Sequence, residues 1–134
     1  MRNLLSFLAF VVLFMGLLNL SLVGCSNTTP TQDIEISQAP IHEVQVRIAE
    51  SFPPQIFLYI KGGLRDGCTT FHDIVTERNS NSVNVKVTTQ HPKGVDCPAV
   101  YKYFEKNINL GSDFVSGQTY DINVNDYSTS FVMQ

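Results

Sequence analysis

From Ile41 onward the apolar residues of this chain recur at every second position, and that period constrains the fold more than any other feature. Val44, Val46 and Ile48 alternate with Glu43, Gln45 and Arg47. Val83, Val85 and Val87 alternate with Asn84, Lys86 and Thr88, and Tyr120, Ile122 and Val124 with Thr119, Asp121 and Asn123. Successive side chains of a strand point to opposite faces, so each run describes a strand with one face in a core and the other in water. Gln55 to Lys61 is apolar throughout between its polar ends, the pattern of a central strand covered on both faces. Thr69 to Arg78 and Ala99 to Leu110 alternate more weakly, and Ser128 to Met133 closes the chain with Phe131 and Met133 turned inward. Between the runs lie Pro53-Pro54, Gly62-Gly63, Arg65-Asp66-Gly67, Asn79-Ser80-Asn81, His91-Pro92-Lys93-Gly94, Gly111-Ser112 and Asn125-Asp126. Turn chemistry at this spacing, without a helical stripe of useful length, predicts an all-β chain. The expected fold is an antiparallel β-sandwich of about seven strands over residues 41–134.

The other end of the chain is of a different kind. Met1-Arg2-Asn3 carries one positive charge, and no charged residue follows between Leu4 and Val23. A basic start before an apolar run is the signature of an export signal. It also explains why only 16% of the 134 residues are charged, where about 25% is usual. The run ends in Leu22-Val23-Gly24-Cys25, which resembles the lipobox of bacterial lipoproteins. In that family the cysteine sulfur receives a diacylglycerol, the bond before it is cut, and the new amine is acylated. The resemblance implies a signal peptide over residues 1–24, lipidation at Cys25, and a membrane partner held through acyl chains. Each buried methylene of such chains contributes roughly 0.8 kcal/mol, so two or three of them anchor almost permanently. The implied location is the cell envelope, and Ser26, where an aspartate would signal retention, favours the outer membrane if the host is Gram-negative. Residues 26–40 are polar and proline-punctuated, so 25–40 reads as the lipidated cysteine and a flexible tether. Ile34 and Ile36 offer one short strand within it. Asn27-Thr28-Thr29 matches a glycosylation sequon by chance beside a bacterial lipidation site.

Two resemblances bear on the domain itself. Gly117-x-x-Tyr120 entering a strand, followed by a tight hairpin to Met133, resembles the tyrosine corner and last hairpin of immunoglobulin-like sandwiches. It implies that the Tyr120 hydroxyl bonds back to the backbone near Phe114 to Ser116. The core tryptophan of true immunoglobulin domains is missing, and Ile122 stands where their second core cysteine would be, so only the architecture carries over. The region from Glu50 to the end also resembles a group of small secreted prokaryotic domains of no assigned activity. The shared residues are Glu50-Ser51-Phe52-Pro53, Gly63-x-x-Asp66-Gly67-Cys68-Thr69, Cys97, Phe104-Glu105 and Gly117-x-x-Tyr120.

Cys68 and Cys97 are the cysteines left once Cys25 is lipidated, and in an oxidising compartment a pair is most simply a disulfide. The competing chemistry is zinc, from a Cys68, His72, His91 and Cys97 inventory. Four residues along a strand separate His72 from Cys68 by about 13 Å, so the disulfide is preferred and no metal or cofactor is expected. Asp121-x-Asn123-x-Asn125 imitates the start of a calcium loop. Asp126 stands where the glycine is required and Val132 where the glutamate is, and Ile122 and Val124 explain the pattern as a strand. His72-Asp73 lacks a nucleophile elbow, and three scattered histidines form no triad. Arg65-Asp66-Gly67 is a turn before Cys68 rather than an adhesive motif. Tyr101 and Tyr103 fall on the face opposite Phe104, available either for packing or as a sticky patch for a partner.

Setting Arg2 aside with the leader leaves 8 of the 9 basic residues against 12 acidic ones. Such a domain has no electrostatic footprint for phosphate backbones, so nucleic acid is excluded as a partner. The expected role is non-catalytic: a lipid-anchored binding or scaffolding module for a protein partner at the envelope. The alternative is an extracellular protease inhibitor presenting the loops 62–67 and 91–96.

Overall fold

The computed structural model describes residues 32–134. The leader over 1–24, the lipobox Leu22-Val23-Gly24-Cys25 and the lipidation candidate Cys25 lie outside the described residues. Eight strands follow one another in this region: β1 (Ile34–Gln38), β2 (Ile41–Ala49), β3 (Gln55–Leu64), β4 (Thr70–Asn79), β5 (Ser82–Pro92), β6 (Lys102–Gly111), β7 (Thr119–Val124) and β8 (Tyr127–Val132). They form an all-β sandwich of two sheets. β2, β3 and β6 make one, with β3 in the middle; β1, β4, β5, β7 and β8 make the other.

The alternation seen in the sequence becomes the core. Ile56, Leu58 and Ile60 from β3 face Val83, Val87, Ile122 and Val124 from β5 and β7, and all seven are fully buried. Each such side chain contributes about 1.5–3 kcal/mol by leaving water. Met133 is buried and Phe131 half-buried, both inward as expected. The run from Gln55 to Lys61 is central, but it is fully covered on one face only. Phe57 and Tyr59 on the other face are half-buried, because nothing among the described residues stacks on the outside of the three-stranded sheet.

β5 organises the larger sheet by sharing one edge between two strands. β7 runs parallel along Ser82–Val85, and β1 runs antiparallel along Thr88–Pro92. Asn125 closes the junction. Its Oδ1 accepts from the Val87 N–H at 3.0 Å, while its Nδ2 donates to the carbonyls of Ala39 at 2.7 Å and Val87 at 2.9 Å. Asn125 holds φ at 49° to do this, a left-handed conformation that asparagine tolerates better than most residues.

β1 corrects the expected boundary of the domain. The sandwich starts at Ile34 rather than at residue 41, and the stretch assigned to a tether, 25–40, includes a paired strand. Its register runs from Ile34 opposite Pro92 to Gln38 opposite Thr88. The short strand suggested by Ile34 and Ile36 thus forms, but both side chains are more than half exposed, so it is held by backbone hydrogen bonds rather than by burial. Among the described residues the strands number eight, where about seven were expected. The tyrosine corner forms as the immunoglobulin-like resemblance implied: the Val115 N–H donates to the Tyr120 hydroxyl at 2.9 Å.

Candidate functional site

Three surface features carry the polar and aromatic groups not consumed by the core. The first is the corner where β3 ends. Arg65 to Thr69 turns sharply because Asp66 Oδ1 accepts three hydrogen bonds, from the Cys68 N–H (3.0 Å), the Thr69 N–H (2.8 Å) and the Thr69 hydroxyl (2.8 Å). An aspartate bonding forward to its own backbone in this way nucleates a turn. Cys68 and Cys97 form a disulfide, with Cα atoms 5.6 Å apart. The Gly67 N–H also donates to the Pro98 carbonyl at 2.8 Å. A Cβ on Gly67 would lie 3.2–3.3 Å from the Pro98 ring, so the bare residue allows this approach. His91, near the end of β5, places Nε2 3.3 Å from Asp66 Oδ2. Burial pushes the Asp66 carboxyl up, but the hydrogen bonds from Thr69 and Cys68 and the charge of His91 outweigh it, and the net is below the ordinary value.

The loops expected at 62–67 and 91–96 are narrower than the sequence suggested. Gly62 and Gly63 belong to β3 and are buried, and His91 and Pro92 belong to β5. Both glycines read as a turn, yet here they are close-approach residues. A Cβ on Gly62 would meet the Phe104 ring, and one on Gly63 the Tyr101 hydroxyl. The disulfide does bring the turn at 65–69 against the irregular segment 93–101, in which Val95, Val100 and Tyr101 are exposed. His72 does not join the cysteines. It sits at a bulge in β4, with Nδ1 3.0 Å from the Thr88 hydroxyl.

The second feature is an aromatic patch on the outer side of the three-stranded sheet. Tyr101 and Tyr103 are 45% and 58% exposed, whereas Phe104 packs inward against the core. With His42 they form three edge-to-face contacts, with centroids 5.2–5.8 Å apart. His42 Nε2 lies 2.5 Å from the Tyr101 hydroxyl, and Lys61 Nζ sits 4.9 Å from the centre of the Tyr103 ring. Burial, and then the neighbouring Tyr103, push the Tyr101 hydroxyl up from its ordinary value.

The third is a shallow groove of about 410 Å³ on the outer face of the larger sheet, lined by Gln38, Glu77, Asn84, Lys86, Asn123 and Asn125. Asn123 links three strands across it, donating to Asn84 Oδ1 at 3.0 Å and accepting from the Ser128 hydroxyl at 2.9 Å. Asp121 to Val124 lie in β7, which supports the strand reading of the calcium-like motif. The sequence did not single out the groove. Polar residues on the wet side of a strand carry no signal until neighbouring strands align them.

Residues 58–133 match the family model described as the ORF11 beta-sandwich domain. An uncharacterized 10.2 kDa protein in the HgiCIIM 5' region of Herpetosiphon aurantiacus is 36% identical over 86 residues, covering 64% of this chain and 90% of that protein. A second, in the HgiBIM 5' region of the same organism, is 37% identical over 76 residues, covering 57% of this chain and 92% of its own. No solved structure matches.

Proposed function

The chain belongs to the ORF11 beta-sandwich domain family, and from that premise we propose that it is a lipid-anchored, non-catalytic module that holds a protein partner at the cell envelope. The observation that carries this reading is the patch of His42, Tyr101 and Tyr103. Rigid aromatic groups with polar tips supply contact area at little cost in conformational entropy. The Gly63 backbone beneath them leaves room for that assembly and for nothing larger. Cys25 is the proposed anchor, on the strength of the lipobox, with the outer membrane as destination in a Gram-negative host because Ser26 follows it.

The test uses the chain solubilised from its own envelope in detergent. A partner retained by the wild type and released by Tyr103→Ala, whose ring has no buried role, supports the reading. Equal retention by a Tyr101→Ala/Tyr103→Ala variant overturns it. The anchor is tested separately by Cys25→Ser, which should leave an unprocessed precursor that takes up no fatty-acid label. Maturation to the same size with label intact would refute the lipidation.

A second reading has one observation in its favour. The segment 93–101 is exposed along nearly its whole length and pinned in its middle by the disulfide at Cys97 and the backbone bond at Pro98, a shape able to lie in a protease cleft. A panel of proteases assayed with and without the chain discriminates it: inhibition lost on Val95→Asp supports it, and no inhibition across the panel ends it.

A further inference from the structure

Sulfur, imidazole and carboxylate converge at the disulfide corner in a way that the covalent bond alone does not require. One ligand atom each from Asp66, His91 and Cys97 lie within 4.8 Å of one another, and Cys68 Sγ is bonded to Cys97 Sγ. While the sulfurs are joined they carry no charge to offer a cation. We propose that reduction of the Cys68–Cys97 disulfide turns this corner into a four-ligand zinc site made of both cysteine thiolates, the His91 imidazole and the Oδ2 carboxylate oxygen of Asp66.

Three features support that assignment, none of which depends on the binding role proposed above. Asp66 is already aimed: its Oδ1 is occupied by Cys68 and Thr69, while Oδ2 faces His91 at 3.3 Å, with the exposed Arg65 Nε a looser neighbour at 3.9 Å. A second link joins the two halves of the site independently of the sulfurs, because the Gly67 N–H donates to the Pro98 carbonyl at 2.8 Å. Zinc needs its ligand atoms about 3.3–3.8 Å apart around a tetrahedron, so the sulfurs must separate on reduction. Cys97 lies in a segment outside any strand, where such a shift disturbs no sheet. Two soft thiolates with one imidazole and one carboxylate suit zinc rather than calcium or magnesium. The ligand inventory of the sequence changes accordingly, with Asp66 in place of His72, which is held at Thr88.

The chemistry balances with a dithiol as reductant. The dithiol gives two electrons and two protons to the Sγ–Sγ bond and leaves as a disulfide, and Cys68 and Cys97 become thiols. A zinc ion then displaces both thiol protons to solvent and forms two Zn–S bonds.

The experiment uses the full chain in detergent on a Cys25→Ser background, so that no third thiol competes. Half is left oxidised, and half is reduced with a phosphine, which takes up oxygen from water and leaves no thiol behind. Each is titrated with zinc chloride against a chromogenic chelator. One zinc per chain is expected in the reduced form and none in the oxidised form. His91→Ala should weaken binding by at least about tenfold, in line with the loss seen when a metal site is disturbed, and His72→Ala should leave it unchanged. If the reduced chain loses its β-type far-UV spectrum, zinc should restore it in the wild type and in His72→Ala but not in His91→Ala. An unstructured chain binding through nearby residues would make the two histidines equivalent. That result, or no zinc bound after reduction, overturns the proposal.

Discussion

Asn125 is the position whose replacement most directly tests how β1 and β7 share one edge of β5. Asn125→Ala removes three hydrogen bonds, from the Val87 N–H and to the carbonyls of Ala39 and Val87. The Val87 carbonyl keeps a partner, since the Ala39 N–H donates to it at 3.0 Å. The Val87 N–H and the Ala39 carbonyl lose theirs. Each lost bond costs about 0.5–1.5 kcal/mol net, and an orphaned buried group about 1–3. Asn125 borders the open groove, so water reaches the vacated place and the low end of that range applies. Holding alanine at φ 49° adds about 1 kcal/mol. The expected loss is roughly 2–4 kcal/mol, and a drop in Tm of about 10 °C or more for a domain of this size. Thermal and urea unfolding of the 32–134 domain measure it. Asn125→Gly removes the steric part, because glycine accepts the backbone angle without strain, and it should keep most of the loss. Asn125→Asp should be worse than alanine at neutral pH, since an anion then faces two carbonyls, and should recover on acidification. Wild-type stability in the glycine variant, or a harmless aspartate, would refute the junction as the cause.

Other expectations follow from the corner and the patch. Cys68→Ser and Cys97→Ser should each cost roughly 3–4 kcal/mol in the chain-entropy account of a cross-link spanning about 30 residues. Their double variant should be little worse than either, because both remove one bond; additive losses in urea unfolding would contradict this. The Asp66 carboxyl lies below its ordinary 3.8 in the folded chain. Its ionised form therefore adds stability above that value, and the contribution is lost as pH falls through the depressed one. Thr69→Val, which removes one of its donors, should flatten the acid limb of a stability–pH profile; an unchanged limb would show that the acid sensitivity lies elsewhere. Gly63→Ala should displace the Tyr101 ring and alter its near-UV signal, since the new Cβ would sit 1.8 Å from the hydroxyl oxygen. An unperturbed spectrum would mean that the patch tolerates what its geometry forbids.

The strands that were legible in the sequence are those whose side chains are sorted by water. Val83, Val85 and Val87, and Tyr120, Ile122 and Val124, are buried at every second position, and their period declares both the strand and its inward face. Tyr120 was legible for another reason. Its hydroxyl reaches Val115, five residues away, so a local motif contains both partners. β1 was half legible: Ile34 and Ile36 suggested a short strand, but both are exposed on an edge, and main-chain pairing with β5 leaves no trace in composition that would have assigned it to the domain. Gly62 and Gly63 failed because glycine has two uses. It supplies a turn where φ is positive and a flat place where another group must come close, and only the position of Phe104 and Tyr101 decides between them.

The candidate sites follow a sharper division, which depends on how far apart their members lie in the chain. Cys68 and Cys97 could be paired from their number and the compartment that the leader implies, since a disulfide needs only two members. The rest of that corner could not. Asp66 stands two residues from Cys68 but acts through His91, which arrives along β5, while His72 is nearer to Cys68 in sequence than His91 and points to Thr88 instead. Sequence proximity favours the wrong histidine because β4 begins directly after the corner and its bulge at Phe71–Asp73 turns residue 72 toward its own sheet. The same holds for the patch, where His42 meets Tyr101 across 59 positions. It also holds for Asn123, which joins Asn84 and Ser128 only because β7 lies between β5 and β8. Here the chain pairs β2 with β3, β4 with β5 and β7 with β8 inside one sheet, and it changes sheet at the other four connections. Chemistry on one sheet face therefore mixes hairpin neighbours, as Asn123 with Ser128, with partners from distant segments, as Asn123 with Asn84 and His42 with Tyr101, and only the topology supplies the distant ones.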